Sequence, residues 1–133
     1  MKFCVDTWFL IKLAQKDTKA LEIKRNTASG KDRILIPTVV ITEFFRKMFQ
    51  KGRKENEMED FLRNLMASEK IKTILLDEII AKDAAKISFS HSIPTVDSII
   101  VSTSKNSESD IILTGDNDIK KLGKKRIVKT ESW

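Results

Sequence analysis

The sequence predicts one α/β domain built on a mainly parallel sheet, and two observations indicate it. Short apolar runs alternate with longer segments whose apolar residues recur at helical spacing, which is typical of a parallel sheet with helical crossovers. The 133 residues, 41% of them hydrophobic, can bury one core, and no repeat or linker divides them. We therefore expect a single domain over residues 1–133 with a three-layer α/β/α architecture.

The first half of the chain is predicted to contain two strands and four helices. Apolar runs at 2–5 and 33–36 predict strands, and between them lie an apolar helix and a second helix over about 19–27. Pro37 then opens a helix, because a proline in the first turn has no N–H to lose. A charged helix with an apolar stripe follows over 54–67. The helix after Pro37 is expected to place five residues in the core: Ile41, Phe44, Phe45, Met48 and Phe49.

The second half repeats the order of strand and helix. Residues 72–76 predict a strand, and Asp77 suits the N-cap of a helix that would bury Ile79, Ile80, Ala84 and Ile87. A helix over 95–105, a strand over 110–113 and a turn into a short helix come next, and a strand over 126–129 is expected last.

Composition excludes several classes of site. One cysteine and one histidine can form neither a disulfide framework nor a Cys/His zinc cage, and His91 has no visible partner for a nucleophilic triad. The four glycines cannot be arranged as a P-loop or a dinucleotide fingerprint. Residues 116–118 begin like an EF-hand calcium loop, but Lys120 replaces the next oxygen ligand and Lys121 stands where glycine is needed, which excludes a calcium site of this type. An early acid argues against a signal peptide, and no apolar run reaches about 18 residues, so we expect a cytoplasmic protein without membrane contact.

The charge balance favours polyanionic partners. Lysine and arginine number 25 against 19 acids, a net charge of +6. Two basic clusters fit a nucleic-acid track and a solvated surface equally well. The central cluster is Arg46, Lys47, Lys51, Arg53 and Lys54, and the late cluster is Lys120, Lys121, Lys124, Lys125, Arg126 and Lys129.

Four acids follow strands or begin helices, where an open α/β sheet binds its ligands. Asp6 follows the first strand, Asp116 follows the strand over 110–113, and Glu43 and Asp97 lie early in their helices. Each alone is explained by capping or by the helix dipole, and helical spacing places Glu43 opposite the apolar stripe, where a solvated charge is expected. Together they would repel unless a hard cation such as Mg²⁺ or Mn²⁺ neutralised them. Two such ions about 4 Å apart can hydrolyse a phosphodiester.

Four segments in this order resemble the PIN-domain proteins and, among them, the VapC-type toxin ribonucleases. They are FCVDTWFLI at 3–11, IPTVVITE at 36–43, PTVDSIIVS at 94–102 and TGDNDI at 114–119. The resemblance spans nearly the whole chain, although residues 15–32 fit it poorly. It implies that Mg²⁺ or Mn²⁺ is bound, directly or through water, by four acids: Asp6, Glu43, Asp97 and Asp116.

The same resemblance implies supporting roles and partners. Thr7 and Thr114 would support the acids, whereas Asp118 either joins the site or caps the last helix. The implied activity is that of a metal-dependent endoribonuclease, the toxin of a toxin–antitoxin pair, with an RNA substrate, a cognate antitoxin protein and a homodimeric state. Trp133 either packs on the fold or belongs to an interface.

Two alternatives come from other classes. A non-catalytic RNA-binding or scaffold protein would keep the fold without the metal site, and the intact acid set argues against it. A phosphatase or phospho-acceptor domain would use Asp6 as a nucleophile with a second acid beside it, but Thr7 and Trp8 occupy those positions.

Overall fold

Five strands and seven helices alternate along the chain, and the computed structural model describes all of residues 1–133. In chain order the elements are β1 (Lys2–Val5), α1 (Thr7–Ala14), α2 (Thr18–Ala28), β2 (Arg33–Pro37), α3 (Thr38–Gln50), α4 (Glu55–Met66), β3 (Ile71–Ile74), α5 (Glu78–His91), α6 (Thr95–Asn106), β4 (Ile111–Leu113), α7 (Asn117–Lys124) and β5 (Thr130–Glu131). None of the helices has both the length and the apolar character needed to cross a membrane.

The sheet has the order β3-β2-β1-β4-β5, and all of its neighbouring strands are parallel. The central strand β1 pairs Cys4 with Leu35 of β2 on one side and with Ile112 of β4 on the other. Helices cover both faces, which explains why the central strands read as continuous apolar runs: Val5, Ile34, Ile36 and Ile112 are all fully buried. The predicted three-layer α/β/α fold is confirmed.

Aspartates begin four of the helices. Asp17 and Asp77 cap α2 and α5 by accepting the N–H of the residue three positions on, at 3.1 and 2.9 Å. Asp6 and Asp116 cap α1 and α7 in the same way. The predicted N-cap at Asp77 is therefore confirmed. Two of the four candidate site acids, Asp6 and Asp116, are also N-caps.

Two residues expected in the core are exposed. α3 buries Val40, Phe44 and Met48, and Phe49 lies at the edge of that stripe with half of its surface in solvent. On α5 the buried face is Ile80, Ala84 and Ile87, which leaves Ile79 in the first turn 68% exposed. In both helices the apolar pattern is wider than the face that the sheet and neighbouring helices can cover.

The last strand lies at Thr130–Glu131, so the prediction of a strand over 126–129 is wrong. Residues 125–127 close the end of α7 instead: the N–H of Ile127 donates to the carbonyl of Leu122 at 3.0 Å, and Arg126 adopts a left-handed φ of 61°. Pairing with β4 begins at Thr130, opposite Ile112. The apolar pair Ile127 and Val128 packs on the core from this connection rather than from a strand.

Candidate active site

Four acids predicted from the sequence lie around one cleft at the carboxyl edge of the sheet. Asp6 follows β1, Asp116 follows β4 after a short turn, Asp97 lies in the first turn of α6, and Glu43 lies in the second turn of α3. The cleft has a volume of about 220 Å³ and is lined by Asp6, Thr7, Trp8, Glu43, Lys47, Asp97, Ile100, Gly115 and Asp116. Parallel strands place their carboxyl ends at the same edge, which is why acids so distant in sequence meet here.

Asp6 is fixed at the floor of the cleft and is only 4% exposed. Its Oδ1 accepts the N–H of Phe9 at 3.3 Å, and its Oδ2 accepts a short hydrogen bond from the buried hydroxyl of Thr114. The same hydroxyl accepts the N–H of Asp116 at 2.9 Å. Thr114 therefore joins β1 to the loop after β4 and sets the relative position of the two acids.

Burial raises the pKa of Asp6 from 3.8 to about 6. The hydrogen bonds from Thr114 and Phe9 oppose this rise, and the charge of Asp116 adds to it. A carboxyl group with a raised pKa at the strand end is costly to ionise, which is typical of functional positions.

Asp97, Asp116 and Asp118 each place a carboxylate oxygen within 4.8 Å of the others. Asp116 caps α7, because its Oδ1 accepts the N–H groups of Asp118 and Ile119 at 2.8 and 3.0 Å. Asp118 is therefore not the cap of this helix, and its half-buried carboxylate borders the cluster instead.

The pKa of Asp97 is raised from 3.8 to about 7. Burial is the largest cause of the rise. The charges of four neighbouring carboxylates add to the rise, in decreasing order Asp116, Asp118, Glu43 and Asp6. The electrostatic centre of the cleft is therefore at Asp97.

Glu43 is half-buried rather than solvated, contrary to the expectation from helical spacing. Its Oε1 accepts the hydroxyl of Thr7 at 3.0 Å. The position lies about 100° around α3 from the buried Phe44, so it faces the start of α1 at the edge of the apolar stripe. Periodicity could not distinguish this boundary from open solvent.

The wall of the cleft includes residues that the sequence did not assign to the acidic site. A Cβ added to Gly115 would collide with Cδ1 of Trp8, so only glycine lets the loop after β4 approach this ring so closely. Lys47 adds the one cation, a helical turn beyond Glu43. The i,i+4 spacing of Lys47 from Glu43 could have indicated that the two residues share a face of α3. No pattern in the sequence indicates that Trp8 approaches Gly115.

Trp133 packs on the fold. Its ring meets Trp8 edge-on with centroids 4.8 Å apart, and its indole N–H donates to Oδ2 of Asp17 at 2.8 Å. The N–H of Ala20 and this indole N–H hold the pKa of Asp17 below its ordinary value. The end of the chain thus supports the cleft wall from behind.

Replacing Trp133 by alanine is expected to lower the free energy of unfolding by about 2 kcal/mol, because a partly buried ring and its hydrogen bond are lost. Urea unfolding measures this. Phe89→Ala removes an aromatic ring that is 89% exposed and serves as the control. Equal unfolding midpoints for the two variants would contradict a packing role for Trp133.

The donor set fits a hard divalent cation. All of the candidate ligand atoms are carboxylate oxygens, the donors that Mg²⁺ and Mn²⁺ prefer. Neither sulfur nor imidazole lines the cleft: Cys4 is buried within β1, where burial raises the pKa of its thiol, and His91 is the last residue of α5. A cation here would offset both the burial and the repulsion between carboxylates that raise the pKa of Asp97.

Comparisons with known proteins identify the family and the fold. The model of the family described as PIN domain matches residues 3–125. Among solved structures, VapBC2 from Rickettsia felis bound to a promoter DNA fragment is similar with a TM-score of 0.76 at 14% identity, covering 100% of this chain and 99% of that chain. A toxin–antitoxin complex from Klebsiella pneumoniae gives 0.63 at 18% identity, covering 87% and 88%.

A third similar structure is VapC20 from Mycobacterium tuberculosis, described as a sarcin–ricin loop cleaving toxin. Its TM-score is 0.68 at 15% identity, and the match covers 91% of this chain and 95% of that chain. At these identities the likeness shows a shared fold. Comparison with curated proteins gave no match.

Proposed function

Because the chain belongs to the PIN domain family, we propose that it is a metal-dependent endoribonuclease that hydrolyses RNA phosphodiester bonds. The observation that carries the proposal is the meeting of Asp6, Glu43, Asp97 and Asp116 around one cleft at the carboxyl edge of the sheet. We further propose that residues 1–133 act as one nuclease domain.

The cation-binding residues in this proposal are Asp97, Asp116 and Asp118, whose oxygens lie closest together, with Asp6 and Glu43 binding directly or through water. Bound Mg²⁺ or Mn²⁺ supplies Lewis acidity and water activation for phosphodiester hydrolysis. Thr114 holds Asp6 in place and Thr7 holds Glu43. The Thr7 bond uses Oε1 of Glu43, which leaves Oε2 available to accept a hydrogen bond from water in the cleft.

The alternative in which Asp6 is a phosphorylated nucleophile is disfavoured by its surroundings. Both of its oxygens accept hydrogen bonds, from Phe9 and Thr114, and the side chain is almost fully buried. Each oxygen keeps a lone pair that could bind a small cation, but a side chain only 4% exposed leaves little room for the in-line approach of a phosphoryl group. A role as a fixed ligand or as an electrostatic element suits it better.

We extend the proposal to the partners. A toxin–antitoxin complex and a sarcin–ricin loop cleaving toxin share this fold, which supports assigning the chain as the toxin of such a pair. Its expected partners are an inhibitory antitoxin protein and a second copy of the chain, in the cytoplasm. The net charge of +6 is consistent with an RNA substrate.

The direct test is incubation of the purified protein with total cellular RNA. We expect discrete cleavage products in Mg²⁺ or Mn²⁺ and none in EDTA, because carboxylates alone cannot neutralise the phosphate. Sequencing of the new RNA ends would identify the cleaved RNA class. A protein that binds RNA without cleaving it in either metal would instead be the non-catalytic alternative.

A further inference from the structure

Lys47 is the single cation among the nine residues that line the acidic cleft. It lies one helical turn after Glu43 on α3, so the two side chains project from the same face of the helix. Four carboxylates share this lining, from Asp6, Glu43, Asp97 and Asp116. A lone ammonium group in such a place requires an explanation of its own.

The ammonium of Lys47 is not paired with any of these carboxylates. The chain forms seven ion pairs within 4.0 Å, and Lys47 takes part in none of them. The order Glu43 then Lys47 at i,i+4 is the favourable one for a helical pair. Glu43 is nevertheless engaged by Thr7 at 3.0 Å. The positive charge is thus left available at the cleft.

A structural explanation also exists, because Lys47 lies in the last turn of α3, where a cation is favoured by the helix dipole. Arg46 is adjacent to it on the same helix and is also exposed, but it does not line the cleft. An effect of net charge would apply to both residues, and a loss of the dipole interaction would change stability rather than affinity for RNA. A specific role at the cleft would apply to Lys47 alone.

An RNA phosphate entering a ring of carboxylates is repelled unless positive charge meets it. Lysine recognises phosphate as a point charge through charge-assisted hydrogen bonds. We propose that Lys47 is a substrate-binding residue whose ammonium contacts a non-bridging oxygen of an RNA phosphate held in this cleft. The choice of RNA as substrate rests on the function proposed above, whereas the contact with a phosphate rests on the geometry of Lys47.

The test compares Lys47→Met with Arg46→Met, which each remove one charge from neighbouring positions. Binding of a short fluorescein-labelled RNA is followed by anisotropy with Ca²⁺ as the oxygen-ligated ion, and cleavage is followed in Mn²⁺. For Lys47→Met we expect affinity and kcat/KM to fall about 10- to 100-fold. For Arg46→Met we expect changes within about 2-fold, and Lys47→Arg should restore most of the loss.

The salt dependence separates a phosphate contact from a structural role. Lys47→Met is expected to reduce the slope of log affinity against log salt by about 1, and Arg46→Met to leave it unchanged. Equal affinities and slopes for the two variants would overturn the proposal. If the wild type fails to cleave RNA, the nuclease function falls, and the binding comparison still decides the role of Lys47.

Discussion

Asp97→Asn is expected to abolish metal-dependent RNA cleavage and to leave the fold intact. Asp97 lies at the electrostatic centre of the cleft, with the charges of Asp116, Asp118, Glu43 and Asp6 all acting on it. The amide has nearly the same volume but removes one negative ligand from the cation site. We expect cleavage to fall on the order of 1000-fold or more, as for removal of a major electrostatic group from an active site.

The fold should survive because Asp97 caps no helix and its neighbours repel it. α6 begins after Pro94 without a side-chain cap, so the substitution costs no capping hydrogen bond. Circular dichroism and thermal unfolding measure the fold, and gel assays with Mn²⁺ measure cleavage. Glu59→Gln, an exposed acid of α4 outside every ion pair, is the matched control. Retention of full Mn²⁺-dependent cleavage by Asp97→Asn would disprove the role proposed for Asp97.

The four acids differ in how far the sequence alone determines their position in the fold. Asp6 follows β1 directly and Asp116 follows β4 after a short turn, so strand prediction alone places them at the carboxyl edge of the sheet. Asp97 and Glu43 lie inside helices, and their direction depends on how each helix packs. Helical spacing predicted a solvated Glu43, yet it faces Thr7 across the cleft, because α3 packs beside the start of α1. The family resemblance supplied what periodicity could not.

Other features depend on contacts between segments far apart in sequence. The packing of Trp133 against Trp8 and its bond to Asp17 join the chain end to α1 and the start of α2. The last strand begins at Thr130 because α7 ends in a left-handed turn at Arg126, a non-glycine residue that carries no turn signal. The sequence likewise leaves open which of Asp116 and Asp118 caps α7, and in the fold the cap is Asp116.

The stability of the metal-free protein is expected to fall as the pH rises from about 4 to about 7. The pKa values of Asp6 and Asp97 rise from 3.8 in an ordinary environment to about 6 and about 7 in the folded chain. Between the ordinary pKa and the raised pKa of each group, the folded state binds more protons than the unfolded state. The stability that the protonated carboxyl groups contribute is therefore complete below about pH 4 and is lost as the pH passes through the folded pKa values.

Manganese should reverse this loss, because it binds the deprotonated carboxylates of the folded state alone. We expect the rise in Tm on replacing EDTA with Mn²⁺ to be much larger at about pH 8 than at about pH 5, where protons compete for the same oxygens. Asp97→Asn should make Tm in EDTA depend less on pH, and it should reduce the rise in Tm that Mn²⁺ causes. The reason is that it removes the carboxyl group with the most raised pKa. Wild-type and Asp97→Asn curves that run parallel over this range would show that the raised pKa of Asp97 does not set the pH dependence of stability in the metal-free fold.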